Sequence, residues 1–345
     1  MGMKSNGECQ LMDLFTPVVP PQALHPNFRK LSDKHSAADR AVLTEWAEGF
    51  KDRDGKFVRE FQTTFNSGFW ELYIFACCKE LGFRVNLAFA SPDFVVDNFQ
   101  NEFCIEAAIA SNAIGESAEW ERDLKKKTEP DPERVLDTAV IRLSNAIDAK
   151  YKKYQAAYQN LPHVKKRPFV LAIGPFEQQY FWAHNDHAIR QVLYAYDRIG
   201  PNGEHLFRHS LAKPSGAPIE LGLFTSGKMP EISAILFSNT ATMSKVLALN
   251  QDTEALTYFS ALYFNQHGPN PIRRNFSKSE YRESLLDGLY VFHNPHATWP
   301  VPFAYFNHED ITQGTLLRGN PVPRYRCKHR HLIQRSSMTI RAKDP

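Results

Sequence analysis

Cysteine is scarce in this chain, and its placement forms no pattern. Five cysteines stand among 345 residues, an odd number, with no CxxC and no zinc-finger spacing. That argues against a disulfide scaffold or a cysteine-rich metal knuckle and fits a reducing compartment. Cys77 and Cys78 adjoin in an apolar run, where cysteine acts as a small core residue. Long apolar runs are missing too: none approaches the ~20 residues that cross a bilayer. The basic start is not followed by the apolar stretch of a secretory signal. The expected setting is therefore the cytosol, with no membrane partner. Charge of one sign is also lacking. With 41 basic against 38 acidic residues the balance is only +3, so a polyanionic partner must be argued from local clusters. Thr225-Ser226-Gly227-Lys228 lacks the preceding glycine of a phosphate-binding loop. There is no GxGxxG, no GxSxG and no internal repeat.

What is present is a hydrophobic fraction of 43%, enough for a sizeable core. Residues 1–55 read as an irregular arm and one helix; Pro17, Pro20 and Pro21 forbid helix early in the arm. Ala41, Val42, Trp46 and Phe50 then share a helical face, and an Asp-Gly turn follows at 52–56. Phe57, Phe61, Phe65, Phe69, Leu72 and Phe75 recur at three and four, which predicts a helix over 56–81 closed by Gly82. Three β-prone runs follow at 83–89, 93–97 and 102–109. The polar stretch 110–131, with Lys125-Lys126-Lys127, reads as a mobile loop. A helix over 132–160 and a strand over 169–173 come next. The expected organisation is a core at 56–175, an α+β extension at 176–314 and a basic tail at 315–345. Within the later part, 232–237 reads as strand and 277–286 as helix with Ser277 at its N-cap.

The chemistry concentrates in Ser91-Pro92-Asp93-Phe94 and Cys104-Ile105-Glu106-Ala107-Ala108. A carboxylate in the middle of an apolar strand is costly unless something compensates its charge. Asp93 and Glu106 on adjacent antiparallel strands can place their oxygens near one point, which suits a hard divalent cation. Glu71, in Phe69-Trp70-Glu71-Leu72-Tyr73, is a third acid in an apolar setting. Its helix must pack on the following sheet. The bland alternatives are a turn at Pro92-Asp93 and an ordinary ion pair at Glu71.

The order helix with Glu71, strand, strand opened by Pro92-Asp93, strand with Glu106, helix, strand resembles the core of the PD-(D/E)xK, restriction-endonuclease-like superfamily. The resemblance covers residues 57–175, and its motif is short. It implies an α/β fold: a restriction-endonuclease-like core (helix, three-strand meander, helix, strand) with an added C-terminal α+β region. It also implies Mg²⁺ or Mn²⁺ on Asp93 and Glu106, with Glu71 close by, and hydrolysis of phosphodiester bonds, DNA favoured over RNA. By the same analogy it points to restriction or defence against foreign DNA, with a second copy or a defence-system protein as a compatible partner. One position departs from the pattern. Ala108 stands where the superfamily carries a lysine that orients the attacking water. Lys150 on the following helix is the expected replacement, with Arg142 and Tyr154 at helical multiples beside it as nucleic-acid contacts. The alternative keeps Lys150, Lys152 and Lys153 as a solvated face.

Other candidates read more simply. His293-Asn294-Pro295-His296 is a turn before it is a metal site, and His184 with His187 lacks a partnering acid motif. Arg324, Arg326, Lys328 and Arg330 in the basic tail suit phosphate contact, which gives affinity without sequence choice. Three classes compete: an active nuclease, a catalytically inactive nuclease-fold protein that binds nucleic acid or a protein partner, and a structural protein whose acids are ordinary ion pairs. Ala108 favours the second.

Overall fold

The computed structural model describes residues 12–121, 131–252, 255–265, 268, 270–327 and 331–340. The first helices are α1 (Pro26–Leu31), α2 (Ala37–Ala47), α3 (Phe57–Thr63) and α4 (Asn66–Glu80). Periodicity predicts one helix where the chain makes two, α3 and α4, broken at Thr64 and Phe65. A Cβ on Gly68 would lie 3.1 Å from the Phe61 ring, so glycine there lets α3 fold closely onto α4. All of α4 is buried except Ser67, Glu71, Lys79 and Glu80. A helix that is apolar on every side is an interior helix, and Glu71 is the one acid in its middle.

The meander expected after α4 is present: β1 (Arg84–Asn86), β2 (Phe94–Asp97) and β3 (Glu102–Ser111) pair antiparallel. Next comes α5 (Pro132–Lys153). The Asp131 carboxylate caps the Glu133 amide at its start, and Pro132 occupies the first turn, where no N–H is needed. A wider, π-type turn continues it over Tyr154–Tyr158. Strand β4 (Phe169–Phe176) then lies parallel beside β3, and every one of its residues is buried, as both-face coverage requires. Phe103 and Ile105 of β3 face the core cluster of α4, whereas Cys104 and Ala110 face that of α5. Helices thus cover both faces of the sheet.

The remaining elements are α6 (His187–Tyr194), the short pairs β5 (Tyr196–Ile199) with β6 (His205–Phe207) and β7 (Ser210–Ala212) with β8 (Pro218–Glu220), then β9 (Ile232–Phe237), α7 (Met243–Leu249), β10 (Leu256–Tyr263), β11 (Ile272–Ser277), β12 (Leu289–His293), β13 (Ile311–Thr315), β14 (Arg324–Arg326) and β15 (Leu332–Ile340). Among the described residues there are seven α-helices and one large mixed sheet, ordered β1-β2-β3-β4-β9-β12-β13-β14. Three expectations need correction. Residue 175 is no boundary, because β9 pairs with β4 and continues the same sheet. The described residues of the expected basic tail, 315–327 and 331–340, are built into sheets: β14 pairs with β13, and β15 pairs with β10 in a second, three-stranded sheet. No helix forms over 277–286, where Ser277 ends β11. Glu283 is instead drawn into a buried cluster with Lys245 at 2.6 Å and Arg335 at 3.2 Å. No helix of the described residues is long and apolar enough to cross a membrane.

Candidate active site

The β2–β3 register brings the acids together. Phe94 lies opposite Ile105, so one step back along β2 sets Asp93 opposite Glu106. Residues facing one another across an antiparallel pair point to the same side, and like charges there repel. The ladder ends at that point, and the Ala107 amide beyond it donates to Asp93 Oδ2 at 2.7 Å. The side chain of Asp93 thus caps the edge that β2 leaves open. Glu71 reaches the same region from α4.

Glu106 is only 2% exposed. Its Oε1 accepts from Lys150 Nζ at 2.6 Å, from Lys153 Nζ at 3.1 Å and from the Tyr158 hydroxyl at 3.3 Å. Its Oε2 is buried with no hydrogen-bond partner among the described residues. One oxygen is saturated by two ammonium groups and a phenol, and the other is left bare. A buried carboxylate oxygen without a donor is costly.

Arg53 completes the site from the loop between α2 and α3. Its guanidinium donates to the Asp93 carbonyl at 3.0 Å and lies 3.8 Å from Glu71 Oε1 and 4.0 Å from Asp93 Oδ1. It offsets the crowding only in part. Burial, then the Asp93 charge, pushes the Glu71 carboxyl up to about 8, against the pull of Arg53. Burial, then Glu106, pushes Asp93 up to about 6, although the Ala107 amide, Lys150 and Arg53 all oppose it. Perturbed acids gathered in one place make a functional-site candidate. Burial, then the Glu106 charge, also raises the Tyr158 phenol.

The other expected contacts are placed differently. Arg142 donates to the Ser111 carbonyl at 2.6 Å and the Asn112 carbonyl at 3.1 Å, tying down the end of β3. It stands eight residues from Lys150, about 12 Å along α5 at 1.5 Å per residue. Tyr154 does not share the Lys150 environment: it is buried, its ring 4.6 Å from that of Phe169. The wider turn hands the position near Glu106 to Tyr158. Arg324 and Arg326 are exposed on β14, five strands from β3, or roughly 24 Å at the usual strand spacing. Lys328, Arg330 and the Lys125-Lys126-Lys127 triplet lie outside the described residues. His293 Nε2 donates to Gln313 Oε1 at 2.8 Å and its ring stacks on Phe303, while His184 and His187 pair with Glu177 and Asp197.

Sequence reasoning missed Arg53, Lys153 and Tyr158. Arg53 sits in Asp52-Arg53-Asp54-Gly55, a polar turn with nothing to set it apart. Lys153 follows Lys150 by three, a helical neighbour that was legible. Tyr158 depends on the widened turn.

A divalent cation can be tested against these donors. Glu106 Oε2 lacks a donor, and Asp93 Oδ1 has only the distant Arg53. Such oxygens suit a hard cation that keeps several waters. Among the described residues, no three histidine, cysteine or carboxylate side chains form a ready cage, so the chain itself would supply two ligands, with Glu71 behind them. No family model, curated protein or solved structure matches this chain.

Proposed function

We propose that the protein is a metal-dependent nuclease with a restriction-endonuclease-like core, hydrolysing phosphodiester bonds in DNA ahead of RNA. One observation carries the reading: the Lys150 ammonium stands 2.6 Å from Glu106, beside the strand whose own lysine position is Ala108. The element order and strand directions around it, two antiparallel steps and one parallel, support the same reading.

Asp93 and Glu106 would hold Mg²⁺ or Mn²⁺, with Glu71 behind, and the ion supplies Lewis acidity and a water of lowered pKa. The chain's own groups do the rest. Lys150 presents positive charge where a phosphate develops negative charge, a donor already in place before substrate arrives. Lys153 and Tyr158 hold Glu106 in one rotamer, so that its second oxygen stays directed into the site. Arg53 fixes the main chain at Asp93 and keeps Glu71 near it. Restriction or defence against foreign DNA is the role that fits such a core by analogy.

The second reading, an inactive nuclease fold that binds nucleic acid or a partner protein, is favoured by Ala108 and by the two lysines and the tyrosine already bonded to Glu106. Incubation of plasmid DNA, single-stranded DNA and RNA with Mg²⁺ or Mn²⁺, against EDTA and Asp93→Ala controls, separates the two. Metal-dependent cutting lost in Asp93→Ala is the expected result. Binding without cutting under every condition would establish the second reading instead.

A further inference from the structure

A cavity of about 820 Å³ lies apart from the acids, bounded by α1, the start of α4, the segment after β4, and β15. That volume is in the range of small-ligand sites. It shares α4 with the acids: Asn66 and Phe69 line the cavity, and Glu71 follows two residues later. Nothing in the cleavage chemistry uses it.

Its polar wall is built around one carboxylate. Glu119 Oε1 accepts from Asn27 Nδ2 at 2.7 Å and from Asn66 Nδ2 at 3.0 Å. Both asparagines are buried, with 9% and 5% of their surface exposed. Asn27 also accepts from Lys30 Nζ at 3.2 Å, which places an ammonium at the rim. Two amides thus hold Glu119 through one oxygen, and its second oxygen has no hydrogen-bond partner among the described residues, which leaves it to accept from a ligand. Trp120, Tyr180 and Trp182 add aromatic side chains to the lining, and Thr242, Ser244, Ser336 and Ser337 add hydroxyls on another side.

We infer that this cavity binds a nucleobase carrying an exocyclic amino group, presented on a nucleotide. A flat ring system between aromatic side chains gains stacking that any base can supply. A fixed carboxylate acceptor selects among bases, because it pairs with an exocyclic amino group, whereas the lone N3–H of thymine lies between two carbonyl oxygens that a carboxylate repels. Lys30 at the mouth suits the phosphate that such a ligand carries. The ligand is either a free mononucleotide or a base swung out of a strand, as enzymes that read single bases do. The inference does not rest on the cleavage reading, since binding is scored alone.

The test is calorimetric titration of the full chain in EDTA with 5′-monophosphates of guanine, cytosine, adenine and thymine, and with short single-stranded oligonucleotides of each base. Amino-bearing bases should bind at least ~10-fold more tightly than thymine, the discrimination that about 1.4 kcal/mol of base readout gives. Glu119→Gln should erase that preference, and Trp120→Ala should weaken every base. Lys30→Ala, an exposed change that leaves the packing alone, should weaken 5′-monophosphates more than nucleosides. Binding by mononucleotides identifies a free ligand; binding only by oligonucleotides identifies an extruded base. Equal affinity for thymine, a preference unchanged in Glu119→Gln, or no binding by any nucleotide to protein whose fold is verified by circular dichroism would each overturn the inference. So would occupancy by a sugar or an amino acid in its place.

Discussion

The Lys150 ammonium lies 2.6 Å from Glu106 Oε1, although 44 residues separate the two in the chain. The contact follows from α5 crossing the face of β3 that carries Cys104, Glu106 and Ala110. It sets a cation beside an acid whose second oxygen is bare.

Lys150→Ala should lower metal-dependent cleavage by about 10²-fold, the scale of losing one preorganised electrostatic donor. Metal binding should persist, because the carboxylates remain. Lys152 points elsewhere, pairing with Asp148 at 2.7 Å with most of its side chain exposed, so Lys152→Ala should cleave like the parent. Equal turnover of the parent and Lys150→Ala in single-turnover assays would remove Lys150 from the site.

Stability should depend on pH in a defined direction. Carboxyls of the unfolded chain ionise near pH ~4, while Asp93 and Glu71 in the folded protein are pushed up to about 6 and about 8. Between those limits the folded state holds more protons than the unfolded one, so stability falls as pH rises. Without divalent ions, the melting temperature should drop from pH 5 to pH 8. Asp93→Asn, which keeps an acceptor for the Ala107 amide, should flatten that drop. Added Mg²⁺ should raise the melting temperature more at pH 8 than at pH 5, because the ion binds the ionised acids. A parent and an Asp93→Asn protein with identical melting profiles against pH would contradict this.

Glu106 is a structural partner as well as a candidate ligand. Glu106→Ala strips Lys150, Lys153 and Tyr158 of a shared acceptor and should destabilise the fold by about 1–3 kcal/mol. Glu106→Gln keeps an acceptor oxygen and should lose less, while still abolishing cleavage. Urea denaturation of both variants at one pH measures the difference, and the reverse order of stability would refute the assignment of Oε1 as the shared acceptor.

The C-terminal arginines call for point changes. Truncation after Gly314 would remove β14 and β15 from two sheets and strip Arg335 from Glu283, at 3.2 Å in the buried cluster. Breaking a buried pair typically costs 3–5 kcal/mol, so the truncated chain should unfold. Arg324→Ala with Arg326→Ala should keep the fold and reduce the salt dependence of nucleic-acid binding, since fewer counterions are released. An unchanged salt slope in filter binding would assign β14 no part in that contact.

Element order was legible wherever a run had a clear period. The aromatics spaced by three and four located the helical stretch of α3 and α4, and the strands read at 93–97, 102–109 and 169–173 formed over 94–97, 102–111 and 169–176. The break at Thr64 and Phe65 was not, because it depends on Phe61 filling the space beside Gly68. The helix expected from Ser277 failed for a similar reason: burial of Glu283 with Lys245 and Arg335 outweighed a local cap.

The sequence alone determined which acids stand in apolar surroundings, Glu71, Asp93 and Glu106, because a charge inside a hydrophobic run is visible from its neighbours. It also determined that Ala108 offers no cation and that α5 carries lysines able to reach. Tertiary structure decided the rest. Only packing brings Lys150, Lys153 and Tyr158 to one oxygen of Glu106, sets Arg53 against Glu71 and Asp93, and pairs Glu119 with Asn27 and Asn66. Those relationships depend on distances between segments far apart in the chain, and the raised acids depend on desolvation, which no residue carries until the core closes around it.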